Sequence, residues 1–120
     1  MKLNHINLVV TNVAEAIHFF ETYFKFTCLA VKGDNLIAVL KNDDGFELVL
    51  MSSSMNKKES LDYPENFHIG FKQNTKEAVD DIFKKLKTNG IAPEGEPGKI
   101  RGNYGFYFYF DKIMIEIGTD

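Results

Sequence analysis

The apolar positions from Leu3 to Val10 follow a strand-like pattern, after which Ala16, Phe19, Phe20 and Tyr23 recur at intervals of three and four. Side chains alternate across a strand, whereas that wider spacing gathers apolar residues on one helical face. Asn12 stands where an N-cap is needed, and Glu15 three residues on predicts a capping box. Three further strand-like runs follow at Phe26–Lys32, Leu36–Lys41 and Phe46–Met51. Gly33-Asp34-Asn35 and Asp43-Asp44-Gly45 between them predict hairpin turns. The first half therefore reads β-α-β-β-β.

A polar stretch, Ser52–Asn66, separates this unit from a new strand beginning at Phe67. Thr75 caps a second predicted helix, which ends at Asn89-Gly90. Sliding the chain by 63 residues lays His68 on His5, Ile69 on Ile6, Phe71 on Leu8 and Thr75 on Asn12. The helix stripes coincide too: Val79 on Ala16, Ile82 on Phe19, Phe83 on Phe20, and Leu86 on Tyr23. Agreement across strand, cap and stripe is the mark of an internal repeat. The second half closes with a weak strand near Ile91–Gly95, a loop at Gly98–Gly102, and a hairpin of Tyr104–Phe110 with Ile113–Gly118. Its Ile115–Ile117 segment, IEI, mirrors FEL at Phe46–Leu48. The predicted organisation is module 1 at 1–51, a linker at 52–66 and module 2 at 67–120.

Splitting each strand into faces isolates the candidate chemistry. Ile6, Leu8 and Val10 oppose His5, Asn7 and Val9; Phe46, Leu48 and Leu50 oppose Glu47, Val49 and Met51. In the second half Phe67, Ile69 and Phe71 oppose His68 and Gly70, while Ile113, Ile115 and Ile117 oppose Met114, Glu116 and Gly118. The bulky faces suit an apolar helix stripe. The other faces are left to line something else, and two curved sheets would turn them toward a shared cleft. His5, Glu47, His68 and Glu116 are thus candidates to converge. Two imidazoles with one or two carboxylates suit Zn, Ni, Fe(II) or Mn(II). The plainer alternative is two solvent-facing glutamates and two unrelated histidines.

Composition removes several function classes. The net charge of −3 supplies no basic field for phosphates, so nucleic acid is not an expected partner. Apolar runs reach only strand length, and MKLNHINLVV lacks a signal peptide's apolar stretch, so no membrane partner and a cytoplasmic location are expected. Cys28 is the single cysteine, which excludes an internal disulfide and a cysteine-based zinc site. It reads as a small buried hydrophobe.

The paired HINLVV and FHIGF strands, the helices after them, and the terminal FYFYFDKIMIEIGT resemble the vicinal oxygen chelate superfamily, also called the glyoxalase/bleomycin resistance/dioxygenase superfamily. The resemblance spans essentially the whole chain. It implies an α+β fold in which two βαβββ modules form a cupped mixed β-sheet with helices on the outer face, commonly as a homodimer. It also implies a divalent metal (Zn, Ni, Mn or Fe), with His5, Glu47, His68 and Glu116 at the matching ligand positions. Glu47 corresponds to the ligand seen in glyoxalase I-like members. The chain departs from the family pattern where Asp111-Lys112 replaces an Asp-Pro-Asp-Gly turn, and it shows no clear glutathione-binding signature.

The functional expectation is a metal-dependent enzyme with glyoxalase I-like lyase or isomerase chemistry on an oxygenated small molecule. Glu47 or Glu116 would act as general base. Transferase and dioxygenase chemistry use the same ligands, and the competing expectation is a metal-free drug- or metabolite-binding protein of the bleomycin resistance type. Asn7, Met51, Tyr107 and Tyr109 occupy cleft-facing positions and are candidate substrate contacts. Arg101, with Lys99, lies in a glycine-punctuated loop able to close over an anionic substrate. His18 is expected on the exposed side of the first helix.

Overall fold

A computed structural model describes residues 1–58, 61–91, 93 and 95–120. Its elements are β1 (His5–Val10), α1 (Val13–Phe24), β2 (Thr27–Lys32), β3 (Ile37–Lys41) and β4 (Glu47–Ser52), then β5 (His68–Gln73), α2 (Lys76–Thr88), β6 (Gly98–Ile100), β7 (Asn103–Phe110) and β8 (Ile113–Thr119). The two β-α-β-β-β runs of the sequence form two separate four-stranded sheets, ordered β1-β4-β3-β2 and β5-β8-β7-β6. In each, the first strand pairs parallel with the last and the remaining pairs are antiparallel. The chain divides into two compact units, Met1–Leu61 and Asp62–Asp120.

Both helices start where the caps predict. The Asn12 Oδ1 accepts from the Glu15 amide at 3.0 Å, and the Thr75 Oγ1 accepts from the Ala78 amide at 3.1 Å. Only half of the predicted capping box forms, because no return bond from the Glu15 carboxylate to Asn12 is made. The α1 stripe buries Val13, Ala16, Phe19 and Phe20 over Leu8, Val10, Ala38, Leu40, Leu48 and Leu50. The α2 stripe buries Val79, Phe83 and Leu86 over Phe106, Phe108, Ile113, Ile115 and Ile117. Phe83 meets Phe106 edge-on, with ring centroids 5.3 Å apart. Each such large side chain contributes roughly 1.5–3 kcal/mol by leaving water.

Two expectations are corrected. The weak strand near Ile91–Gly95 is not a strand at Ile91, Pro93 or Gly95; Ala92 and Glu94 lie outside the described residues. Pro93 has no amide hydrogen to donate to a ladder. The short strand lies instead within the segment read as a loop: Gly98, Lys99 and Ile100 pair with Gly105, Tyr104 and Asn103. Phe67, expected beside Ile69 on the helix-facing side, precedes β5 and stacks on Tyr63 at 4.8 Å. The Ser52–Asn66 connection is also partly structured, with a 3-10 turn at Ser53–Met55 and Leu61 buried.

Candidate functional site

The helix-free face of the second sheet carries three rows of side chains across β5, β8 and β7. They are His68, Met114 and Tyr109; Gly70, Glu116 and Tyr107; and Lys72, Gly118 and Gly105. Glu116 stands in the middle row, where Gly70 leaves it room. A Cβ at Gly70 would lie 3.3 Å from the Glu116 Oε2.

Glu116 is a buried charged group at the centre of this face. Its Oε1 accepts from the Tyr107 hydroxyl at 2.9 Å and from the Arg101 Nη2 at 2.9 Å. The same Arg101 nitrogen donates to the Tyr107 oxygen at 3.2 Å. Its Oε2 faces the His68 Nε2 at 3.9 Å. Only 8% of the Glu116 side chain is exposed, against 69% of Arg101. Burial pushes the Glu116 pKa up, but the hydrogen bonds of Tyr107 and Arg101 and the charge of Lys72 outweigh it. The carboxyl is therefore held below its ordinary value and ionised. Burial and the adjoining carboxylate push the Tyr107 phenol up, so it remains a donor.

The imidazole is oriented from its far side. The His68 Nδ1 lies 2.9 Å from the Asn66 carbonyl oxygen, which can only accept, so a proton belongs on Nδ1, and in the neutral imidazole the Nε2 facing Glu116 carries the lone pair. Asn66 achieves this from a left-handed backbone conformation, φ 67°, which turns its carbonyl back over the first residue of β5. Asparagine tolerates that region better than most residues. The His68 ring also meets Tyr107 edge-on at 6.0 Å.

An open cavity of about 700 Å³ borders this cluster, with His68, Arg101, Tyr107 and Tyr109 in its lining, along with Lys99. Of the predicted residues, the structure thus brings His68, Glu116, Arg101, Tyr107 and Tyr109 together. Asn66, Gly70 and Lys72 were missed as site residues. The signal for Gly70 was its place opposite Glu116, which needs the parallel register to be seen.

The first unit is organised differently. His5, Glu47 and Lys41 form one row across β1, β4 and β3; Asn7, Val49 and Val39 form the next; Val9, Met51 and Ile37 the third. With His5 and His68 aligned, Glu47 corresponds in register to Met114, and the place of Glu116 is taken by Val49. The sequence mirror of FEL with IEI therefore does not put the two glutamates at equivalent points. His5 is exposed with its Nδ1 3.2 Å from the Asn4 Oδ1, and Glu47 is half-buried. The Asn7 amide nitrogen donates to the Met51 sulfur at 3.9 Å. His18 is exposed, as expected. Among the described residues of either unit, no three His, Cys, Asp or Glu side chains form a ready metal cluster.

Two βαβββ units, each opening its first strand with a histidine, define an α+β protein of tandem-repeat architecture. The chain belongs to the glyoxalase/bleomycin resistance protein/dioxygenase superfamily, whose family model matches residues 2–117. It is similar to a possible glyoxalase from Bacillus cereus, with 38% identity over 98% of both chains and a TM-score of 0.84. The fold is shared with the fosfomycin resistance protein FosX of Listeria monocytogenes, at 22% identity, 100% and 93% coverage and a TM-score of 0.81. It is shared as well with lactoylglutathione lyase from Agrobacterium tumefaciens, at 16% identity, 98% and 92% coverage and a TM-score of 0.74. No curated protein matches the chain. Among the described residues no helix is long and apolar enough to cross a membrane.

Proposed function

We propose that this chain is a divalent-metal-dependent enzyme with glyoxalase I-like lyase or isomerase chemistry on a small oxygenated molecule. The observation that carries the reading is the pair of lone-pair-bearing atoms facing each other across 3.9 Å, the His68 Nε2 and the Glu116 Oε2. Neither can donate while Nδ1 holds the imidazole proton, so the gap suits a cation. Ligand distances of about 2.0–2.2 Å on each side at a tetrahedral angle would put the two atoms roughly 3.4 Å apart, so the pair needs to close by only about half an ångström around an ion. The Asn66 carbonyl behind His68 is the outer partner that metal-binding histidines usually have. The family pattern gives His5 and Glu47 the same role on β1 and β4, and superfamily members commonly use divalent metals.

A bound Zn, Ni, Mn or Fe ion supplies Lewis acidity toward the oxygens of the substrate. The chain's own groups divide the remaining work. Glu116, held ionised by Tyr107 and Arg101, suits a permanent charged ligand better than a proton acceptor. On the family pattern, Glu47 takes general-base duty where it is not itself a ligand. Tyr107 and Tyr109 face the substrate, and Asn7 and Met51 line the matching face of the first sheet. A homodimeric cytoplasmic protein belongs to the same reading, on the family pattern.

The ion pair of Arg101 with Glu116 at 2.9 Å favours a second reading, a metal-free drug- or metabolite-binding protein whose carboxylate is already neutralised. Metal analysis after reconstitution separates the two. The enzyme reading expects one divalent ion held by the wild type and its affinity lost by at least about a hundredfold in His68→Ala, as for the loss of a direct ligand. A wild type that takes up none of Zn, Ni, Mn or Fe sinks it.

A further inference from the structure

Glu116 is buried, yet its charged partner is not. The Arg101 side chain sits on a two-residue turn between β6 and β7, where Ile100 pairs with Asn103 and where Arg101 and Gly102 both have positive φ, 45° and 88°. Asparagine or glycine is the usual first residue of such a turn. An arginine there accepts a less favourable backbone, and its side chain reaches back over the sheet to the Glu116 Oε1. Lys99, two residues earlier, lines the same cavity but forms no ion pair with Glu116 among the described residues.

A buried carboxylate cannot be left unpaired without a large penalty, whereas an ion pair with an exposed partner is held weakly. Glu116 therefore always needs a cation, but exchanging one cation for another is easy. Resting on the metal-dependent reading above, we propose that Arg101 is a built-in competitor for the charge of Glu116. Its guanidinium neutralises the carboxylate through Oε1 while no divalent ion is bound and is released toward the cavity when an ion takes over that charge from the Oε2 side, so that Arg101 sets the affinity of the site. Tyr107 stays on Glu116 in both states and keeps the carboxylate in place during the exchange.

The test is calorimetric titration of Zn(II) and Ni(II) into the metal-free wild type, Arg101→Gln and Lys99→Gln, all three as the full chain. Arg101→Gln is expected to bind about fivefold more tightly than wild type, the range open to an exposed pair. Lys99→Gln should shift affinity by less than about twofold, as a screened neighbouring charge does. In the wild type, the NMR signal of the Arg101 Nε–H group should move as Zn(II) is added, reporting the release directly. Unchanged or weaker binding by Arg101→Gln overturns the competition and leaves the metal reading standing, and so does equal tightening by Lys99→Gln. If the wild type binds neither ion, both readings fall together.

Discussion

The two halves share one plan and spend the same sheet face on different things. In the second half the middle row is Gly70, Glu116 and Tyr107; in the first it is Asn7, Val49 and Val39. The third row contrasts as sharply, with Lys72, Gly118 and Gly105 set against Val9, Met51 and Ile37. One face is cleared of bulk around a buried carboxylate that accepts two hydrogen bonds at Oε1. Its counterpart is filled with half-buried aliphatic side chains and keeps its glutamate at the end, in the row of the histidine. A repeated backbone thus constrains where strands lie and leaves each row free to diverge, because an outward face carries no core-packing requirement.

The largest expected effect tests whether that clearing is structural. A Cβ at Gly105 would press into the Ile117 carbonyl oxygen and come within 2.8 Å of the Gly118 Cα, both backbone atoms that cannot rotate away. Gly105→Ala should therefore cost about 3 kcal/mol or more in urea unfolding, or prevent folding. Ile37→Ala, at the matching place in the first half, should cost only about 1–2 kcal/mol because its side chain is half-buried. Equal losses at the two positions would mean that the halves are not divided in this way.

The glutamates give the next contrast. Glu116→Gln removes the charged acceptor of two hydrogen bonds and should cost about 1–2 kcal/mol at neutral pH. Glu47→Gln, whose carboxylate is bonded to neither His5 nor Lys41, should stay within about 0.5 kcal/mol of wild type. The sign with pH follows from the lowered Glu116 pKa. The folded chain binds this proton less tightly than the unfolded one, so the stabilisation is present above the ordinary carboxylate value of about 4. It is lost as pH falls through the lower folded value, and Glu116→Gln should flatten the acid limb of the stability curve.

The smallest effect concerns how each helix is tied to its sheet. In the second half the Tyr104 hydroxyl of β7 donates to the Asp80 Oδ1 of α2 at 2.5 Å; in the first, the Glu21 Oε2 of α1 accepts from the Cys28 amide of β2 at 3.0 Å. The bond to Asp80, then burial and the charges of Asp80 and Glu96, push the Tyr104 phenol up. Its contribution is full below about pH 10 and declines as pH rises through the raised value. Tyr104→Phe should lower the urea midpoint slightly and remove this alkaline component. Glu21→Gln, which keeps an oxygen acceptor, should leave the alkaline limb unchanged.

Much of the fold was legible because periodicity and caps are local. Asn12 and Thr75 mark both helix starts, and the Phe19/Phe20 and Val79/Phe83 stripes identify the buried faces. The short strand Gly98–Ile100 was not legible, since three residues carry no periodicity and their pairing comes from a turn that only Arg101 and Gly102 define. In the candidate site, His68, Glu116, Tyr107 and Tyr109 could be assigned to one face by parity alone. The role of Asn66 could not, because it acts through a backbone carbonyl that any residue possesses.

Residue order alone determined the repeat, the β-α-β-β-β plan of both halves and the division of β1, β4, β5 and β8 into a core face and an open face. These follow from the fixed periods of helix and strand, which each segment expresses without reference to the rest. Tertiary structure alone decided register and contact: that Glu116 stands opposite Gly70 while Glu47 stands opposite His5, and that Arg101 folds back onto the carboxylate. Register depends on how distant strands are threaded past one another, and parity is unchanged by a slip of two residues. The sequence could therefore name the right face for both glutamates while giving no measure of how differently the two are held.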